Sequence, residues 1–351
     1  MDYPALLVGS IPLATAEDVF RLIGPTLGRY LPALPDGETG ARRWWVARLH
    51  QQVFNHHPDI DVLQRPLASE LETAQLTRRG RGRPWQFRIR QGVKQLTFPK
   101  GLGYVAAATD SYAVFCRLRA EGAIPAGVRF QVSLPLPNSA ASPAVIQIED
   151  IARFREALRI ALRDEALAIA AAIPHEDLAI QWDGSWEITD VYEAVPGLRA
   201  EGAMERNVSQ VRELSRSLPA AVMVGYHLCF GTFGGWPRLS PTDLGRAVNY
   251  ANRILAETGR TVDWMHIPTL DRSDPHFYAP LAHLEPQGAR IYLGLIHNMA
   301  SFSTRLAMAR RYLPEFGVAA YCGFGRIDPA LVPGLIADHL TAIEALGALK
   351  T

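Results

Sequence analysis

The chain has 351 residues, 48% of them hydrophobic and 20% charged, which describes a globular protein with a sizeable core and excludes a disordered or fibrous one. Lys and Arg number 36 against 35 Asp and Glu, a formal charge of +1, so no global field recruits nucleic acid or an anionic membrane. No apolar run reads as long enough to span a bilayer, the opening M-D-Y-P-A-L-L-V-G-S has no basic region before its apolar stretch, and three scattered cysteines make no disulfide framework, which together predict a cytoplasmic protein with free thiols.

Short apolar runs read as strands and longer amphipathic windows as helices. The first strand, Ala5–Val8, ends in Gly9-Ser10, and a helix follows from Thr15, whose hydroxyl caps it ahead of Glu17 and Asp18. A second strand, Leu31–Leu34, runs into P-D-G-E-T-G, and R-R-W-W-V-A-R-L-H begins the next helix. Residues 55–103 interrupt the alternation. They carry Arg78, Arg79, Arg81 and Arg83 among glycines, and a strand-like pair, Trp85–Arg90 and Gln95–Phe98, that reads as an inserted hairpin or lid. The arginine cluster reads as a solvated insertion, with an RNA-contacting loop as the minor alternative.

A helix, Asp110–Glu121, leads to the third strand, V-R-F-Q-V-S-L, and the long helix Glu149–Ile173 leads to the fourth, Leu178–Trp182. The pattern is then regular. Helix Met204–Leu218 precedes strand five, Ala221–Tyr226; helix Pro241–Glu257, capped by Ser240, precedes strand six, Val262–Ile267; a short helix at His276–Leu284 precedes strand seven, Arg290–Ile296. Helix Ser303–Leu313, strand eight at Val318–Tyr321 and helix Pro329–Leu349 complete the chain. Eight strand–helix units predict an α/β fold, a single (β/α)8 TIM barrel over residues 1–351 with the 55–103 insertion between strands two and three. A doubly wound sheet also alternates, but it does not gather residues of the first and eighth strands into one cleft.

In such a barrel the active site forms at the C-terminal strand ends. Ser10, Glu38, Asp183, His227, Cys229, His266, His297 and Cys322 each lie at or just past one. His227 and Cys229 are two apart, so in extended backbone they project the same way, and Cys322 in A-A-Y-C-G-F-G-R follows another apolar run. One imidazole and two thiolates suit Zn²⁺. A satisfied core histidine beside a buried thiol is the bland alternative for His227 and Cys229 taken alone, as a surface turn is for Glu38. Cys116 sits at helical spacing and reads as core.

Laid out in order, these pieces resemble the catalytic C-terminal barrel of cobalamin-independent methionine synthase and its stand-alone relatives, within the uroporphyrinogen decarboxylase/methionine synthase-like superfamily. L-V-G-S-I-P is similar to the family's G-S-[FL]-P, which implies that Ser10 contacts a substrate carboxylate. D-G-E-T-G-A-R-R-W-W-V resembles H-G-E-x-x-R-x-D-M-V and A-I-Q-W-D-G-S-W-E resembles Q-I-D-E-P-A-L, implying that Glu38 and Asp183 hold the substrate amine. H-L-C matches H-x-C, Y-C-G-F-G-R looks like D-C-G-L-K-T-R, and G-L-I-H-N is similar to Y-D-I-H-S, which implies zinc on His227, Cys229 and Cys322 and proton handling by His297.

The chain also departs from the family pattern. Pro268 of W-M-H-I-P stands where the family has its glutamate ligand, leaving His266 as the candidate fourth ligand or the position open, with Asp271 a lesser candidate. D-E-P has become D-G-S, Leu295 replaces an aspartate, and the aromatic residue that stacks on folate has no counterpart in S-L-P-L-P-N-S. The expected activity is zinc-dependent transfer of a methyl or small alkyl group to or from the sulfur of a small thiol or amino-acid substrate, with the donor unassigned. A metal-dependent hydrolase or lyase with Asp183 as base, and a metal-free binding paralogue, are the competing classes.

Overall fold

The computed structural model describes residues 3–67, 84–142, 144–145, 147–195, 197–232 and 235–348. The strands are β1 (Ala5–Leu6), β2 (Ala33–Pro35), β3 (Ile60–Gln64), β4 (Gln86–Ile89), β5 (Arg129–Pro135), β6 (Leu178–Gly184), β7 (Met223–Leu228), β8 (Trp264–Pro268), β9 (Arg290–Ile296) and β10 (Gly317–Ala320). Eight of them pair in parallel in the order β1-β10-β9-β8-β7-β6-β5-β2, with helices outside: the (β/α)8 barrel expected from the alternation. β1 and β2 do not pair as strands. Their ends are joined by the Ile11 N–H donating to the Gly37 carbonyl at 2.8 Å, and the Gln131 side-chain amide donates to the carbonyls of Leu7 and Val8.

Alternation along each strand divides the core in two. Ile180, Trp182, Val224, Tyr226 and Leu228 face the helices in the main apolar cluster, whereas Leu6, Ala33, Ala179, Trp264, Tyr292 and Ala319 form a separate cluster that fills the bottom of the barrel. Trp264 is the largest of these and lies against Gly225, where a Cβ would stand 1.9 Å from its ring. Its indole N–H donates to Gln181 Oε1 at 3.2 Å, and the Gln181 amide donates to Asp183 Oδ1 at 2.8 Å. A polar line therefore rises from the apolar floor to the strand ends.

The expected insertion is present, with different pairing. β4 pairs antiparallel with β3, Ile60 opposite Ile89, while residues 95–98 form no strand and instead bury Leu96 and Phe98. The Phe87 N–H donates to the Ala144 carbonyl at 2.8 Å, and the rings of Phe54, Phe87 and Phe98 pack together, so long-range aromatic packing selects the partner. Arg78, Arg79, Arg81 and Arg83 lie outside the described residues.

The helix expected from R-R-W-W-V-A-R-L-H is broken into a 3-10 turn, Gly40–Trp44, and a π turn, Leu49–Val53, by Trp45 at φ 53°. Arg42 reaches back to both carboxylate oxygens of Asp36, at 3.2 and 2.7 Å, a contact six residues apart that helical spacing does not provide. Thr15 caps the helix Ala16–Thr26 in a reciprocal box with Asp18. Ser240 caps nothing, because the next helix starts at Gly245. The expectation that no segment is long and apolar enough to cross a membrane is amended by Pro329–Gly347, which is so by length and composition. In the fold that segment packs on β10, with His339 fully buried.

Gly225→Ala is expected to cost about 3 kcal/mol or more of stability in urea unfolding, because the new methyl overlaps an indole locked at the floor of the barrel.

Candidate metal centre

β7 runs two residues further than the sequence suggests, to Leu228, and its register carries His227 beside His266 of β8 and Asp183 of β6. Just beyond, the Cys229 N–H donates to the Gly184 carbonyl at 3.0 Å, which fixes where the thiol emerges. Cys322 follows β10 on a loop tied to the end of β1: the Phe324 N–H donates to the Ser10 carbonyl at 2.6 Å, and the Gly325 N–H to Ser10 Oγ at 3.2 Å. A Cβ on Gly323 would lie 2.4 Å from Ser10 Oγ, so glycine is what lets the two loops meet.

These elements bring the three expected donors together. Cys229 Sγ lies 3.4 Å from Cys322 Sγ, and Cys322 Sγ lies 3.9 Å from His227 Nε2, with all three donor atoms within 4.8 Å of one another. Tetrahedral zinc with bonds of about 2.3 Å to sulfur and about 2.0 Å to nitrogen needs separations of roughly 3.8 Å between sulfurs and roughly 3.5 Å between sulfur and nitrogen. The sulfur pair and the Cys322–His227 pair are within a few tenths of an ångström of these separations, and the residues fit such an ion once Cys229 and His227, within 4.8 Å of each other, draw together by about an ångström. Among the described residues no fourth His, Cys, Asp or Glu joins this group.

His266 stands behind the donors. Its Nε2 lies 3.0 Å from the Ala320 carbonyl, an acceptor, so Nε2 carries the proton and Nδ1 has a free lone pair. That lone pair receives the proton of His227 Nδ1 at 2.7 Å, which leaves His227 Nε2 unprotonated and turned toward Cys322. His266 thus sets the tautomer of His227. Burial holds its pKa well below the usual imidazole value, so it stays neutral. The hydrogen bond between the two sulfurs lowers the pKa of Cys229 and, with burial, raises that of Cys322 well above the usual thiol value.

The same cavity is lined by Ser10, Glu38, Asp183, Trp186, Arg238 and Arg326 as well as by the three donors. Glu38 sits at φ 49°, outside the comfortable range for a residue with a side chain, and its N–H donates to Asp36 Oδ1 at 2.9 Å. Burial raises its pKa to about 7, against the pull of Arg42. Burial, and then the charge of Glu38, raises Asp183 well above the ordinary carboxylate range. The two carboxyls line the same pocket as the donors, with Arg42 and Arg326 near Glu38.

His297 is not in this lining. It stacks on Tyr321 with centroids 4.7 Å apart, and its Nε2 is 3.4 Å from Thr269 Oγ1. Burial, assisted by Arg305, lowers its pKa to about 4, so the ring is neutral near pH 7. Of the aromatic residues in the sequence, Trp186 lines the pocket, Trp182 and Phe230 are core, Trp236 packs on Tyr321, and Phe233 lies outside the described residues. Sequence reasoning missed Arg238 and Arg326. The signal for Arg326 was in Y-C-G-F-G-R, and that for Arg238 was a lone charge amid W-P-R-L after the glycine-rich stretch.

No protein-family model and no curated protein matches the sequence. Among solved structures the chain is similar to a candidate vitamin-B12-independent methionine synthase from Listeria monocytogenes, with 15% identity, a TM-score of 0.55, and coverage of 98% of this chain and 96% of that one. At that identity the likeness is one of fold.

Two substitutions test the centre. After loading with zinc and dialysis, the wild type is expected to retain the metal by elemental analysis and Cys322→Ser to lose most of it, while circular dichroism stays unchanged. His266→Leu keeps all three donors but frees His227 to take either tautomer, and is expected to weaken zinc about 10- to 100-fold in chelator competition.

Proposed function

We propose that the protein transfers a methyl or other small alkyl group to or from the sulfur of a small thiol, in the manner of the methionine-synthase-like barrels. The observation that carries this reading is the meeting of His227 Nε2 and the sulfurs of Cys229 and Cys322 at the barrel mouth, with a substrate-sized pocket on their open side. Zn²⁺ held there would supply a Lewis acid that lowers the pKa of a thiol from its usual ~8.5, so that the nucleophile is a thiolate at neutral pH. Three protein donors and one accessible position are the pattern of catalytic rather than structural zinc sites. A reducing compartment such as the cytoplasm would keep the two adjacent thiols free.

The remaining groups position and exchange protons. Glu38 and Asp183 would take a substrate ammonium in place of the proton that burial favours, and the bound amine would hold its sulfur beside the donors. In the forward direction the thiol proton leaves to solvent, the sulfur attacks the alkyl carbon, and the donor's C–N or C–O bond breaks as C–S forms. His297 is assigned to the proton required by the departing heteroatom. Neutral near pH 7 and outside the pocket lining, it would relay a solvent proton, taking it at one ring nitrogen as it gives one up from the other. Ser10, already accepting from Gly325, keeps its own hydroxyl hydrogen for a substrate oxygen.

X-ray absorption at the zinc edge tests the reading directly: adding a small thiol should raise the number of sulfur neighbours from the two supplied by Cys229 and Cys322 to three. An unchanged count would favour hydrolysis by the same centre. Amine-bearing thiols are expected to bind more weakly as pH falls below about 7, where Glu38 keeps its proton, and to release a proton on binding near pH 6, seen calorimetrically in buffers of different ionisation enthalpy. His297→Asn should lower kcat about 100-fold or more with thiol affinity unchanged.

A further inference from the structure

The pocket holds more positive charge than amine binding and proton transfer require. Arg43, Arg238 and Arg326 all line it. Of the other buried or half-buried arginines, Arg42, Arg206 and Arg305 meet carboxylates, whereas Arg48, Arg260 and Arg310 donate to backbone carbonyls away from this pocket. Among the described residues Arg238 and Arg326 hydrogen-bond only to neutral groups, although Glu38 and the two thiols lie near Arg326 and Cys229 near Arg238. Arg238 lies 3.9 Å over the Trp186 ring and donates to Thr189 Oγ1, and Arg326 donates to Thr232 Oγ1. The Nε of each is buried with no partner. A guanidinium cannot shed its proton, so a desolvated one with idle donors calls for an anion.

Their placement singles out the substrate side of the metal centre. Both flank the corner that follows Cys229: the Arg238 N–H donates to the Gly231 carbonyl at 2.9 Å, and Arg326 holds Thr232. A Cβ on Gly231 would stand 2.6 Å from Arg238 Nε, so this corner is shaped to admit the guanidinium. The thiolates of Cys229 and Cys322 do not account for both charges, because a divalent cation already balances two thiolates. A substrate thiolate adds one negative charge, and two guanidiniums leave room for a second.

We propose that Arg238 and Arg326 form an anion subsite and that the thiol substrate carries an acidic group, a carboxylate or sulfonate, seated against them while its sulfur lies beside Cys229 and Cys322. This rests on the alkyl-transfer reading for the thiol and goes beyond it in assigning the acidic group to arginines rather than to Ser10.

Calorimetric titration of the zinc-loaded protein separates the two claims. The probes are 3-mercaptopropionate, 3-mercaptopropanesulfonate, the neutral 3-mercaptopropanol and the thiol-free propanesulfonate. Both acidic thiols should bind at least about tenfold more tightly than the alcohol, and the tighter of them identifies the head-group. Arg326→Gln and Arg238→Gln should each abolish that preference with zinc content unchanged, whereas Arg326→Lys keeps part of it. Gly231→Ala, which crowds Arg238 without removing its charge, should weaken the preference and serves if a glutamine variant fails to fold. Equal affinity for the alcohol and the acids overturns the subsite and leaves the thiol reading standing. Loss of zinc in the variants with the preference intact also overturns it, since the arginines then serve the cysteines. If propanesulfonate binds and no thiol does better, the subsite stands and the thiol reading falls; if nothing binds, both fall.

Discussion

The hydrogen bond between His227 and His266 is the constraint on which the centre depends. Two imidazoles on adjacent strands, in register, can exchange a proton in either sense, and a carbonyl acceptor at Ala320 decides between them. That carbonyl belongs to the strand that delivers Cys322 two residues later, so one strand supplies a thiol and orients the imidazole opposite it. Removing freedom from a ligand in this way is what second-layer partners of metal-binding histidines do generally. It also gives His266 a role that strand parity alone did not predict, behind the donors rather than among them.

Below that pair the barrel interior changes character with depth. The floor is apolar and closed by Trp264 and Tyr292, while the next layer is Gln131, Ser133 and Gln181, all buried and hydrogen-bonded to one another or to the carbonyls of Leu7 and Val8 just past β1. An all-apolar interior would be cheaper to fold, since each buried amide must find its partners. The arrangement makes sense as a support for Asp183, whose carboxylate is held by Gln181 and thereby aimed upward. Asp183 and Glu38 are both pushed toward their protonated forms by burial.

The loops above the strand ends carry the irregular backbone of this pocket. Glu38 is turned inward by a left-handed backbone, Trp45 breaks a helix to line the cavity, and the corner after Cys229 admits Arg238 through a glycine. Such features concentrate at functional sites because the strain is tolerable only where surrounding contacts hold it. Pro268 at the end of β8 and two arginines whose Nε atoms are buried without a partner accompany them.

Much was legible before any coordinates. Strand–helix alternation is a periodicity, and periodicity is local, so eight units and the barrel followed from the chain alone, as did the placement of His227, Cys229, Cys322, Glu38 and Asp183 at strand ends. β9 falls where its apolar run lies, at Arg290–Ile296. The contacts that join distant segments were not legible. The pairing of β3 with β4 rather than of residues 85–90 with 95–98 is decided by aromatic packing across the insertion, and the broken helix after Glu38 by an arginine reaching back to Asp36. The tautomer of His227, the neutrality of His297 and the idle guanidiniums of Arg238 and Arg326 depend on which atoms lie within about 3 Å through space. Sequence order carries no such distances. It determined the architecture and the donor set, and only the closure of the barrel decided their protonation, their partners and the charge that faces a substrate.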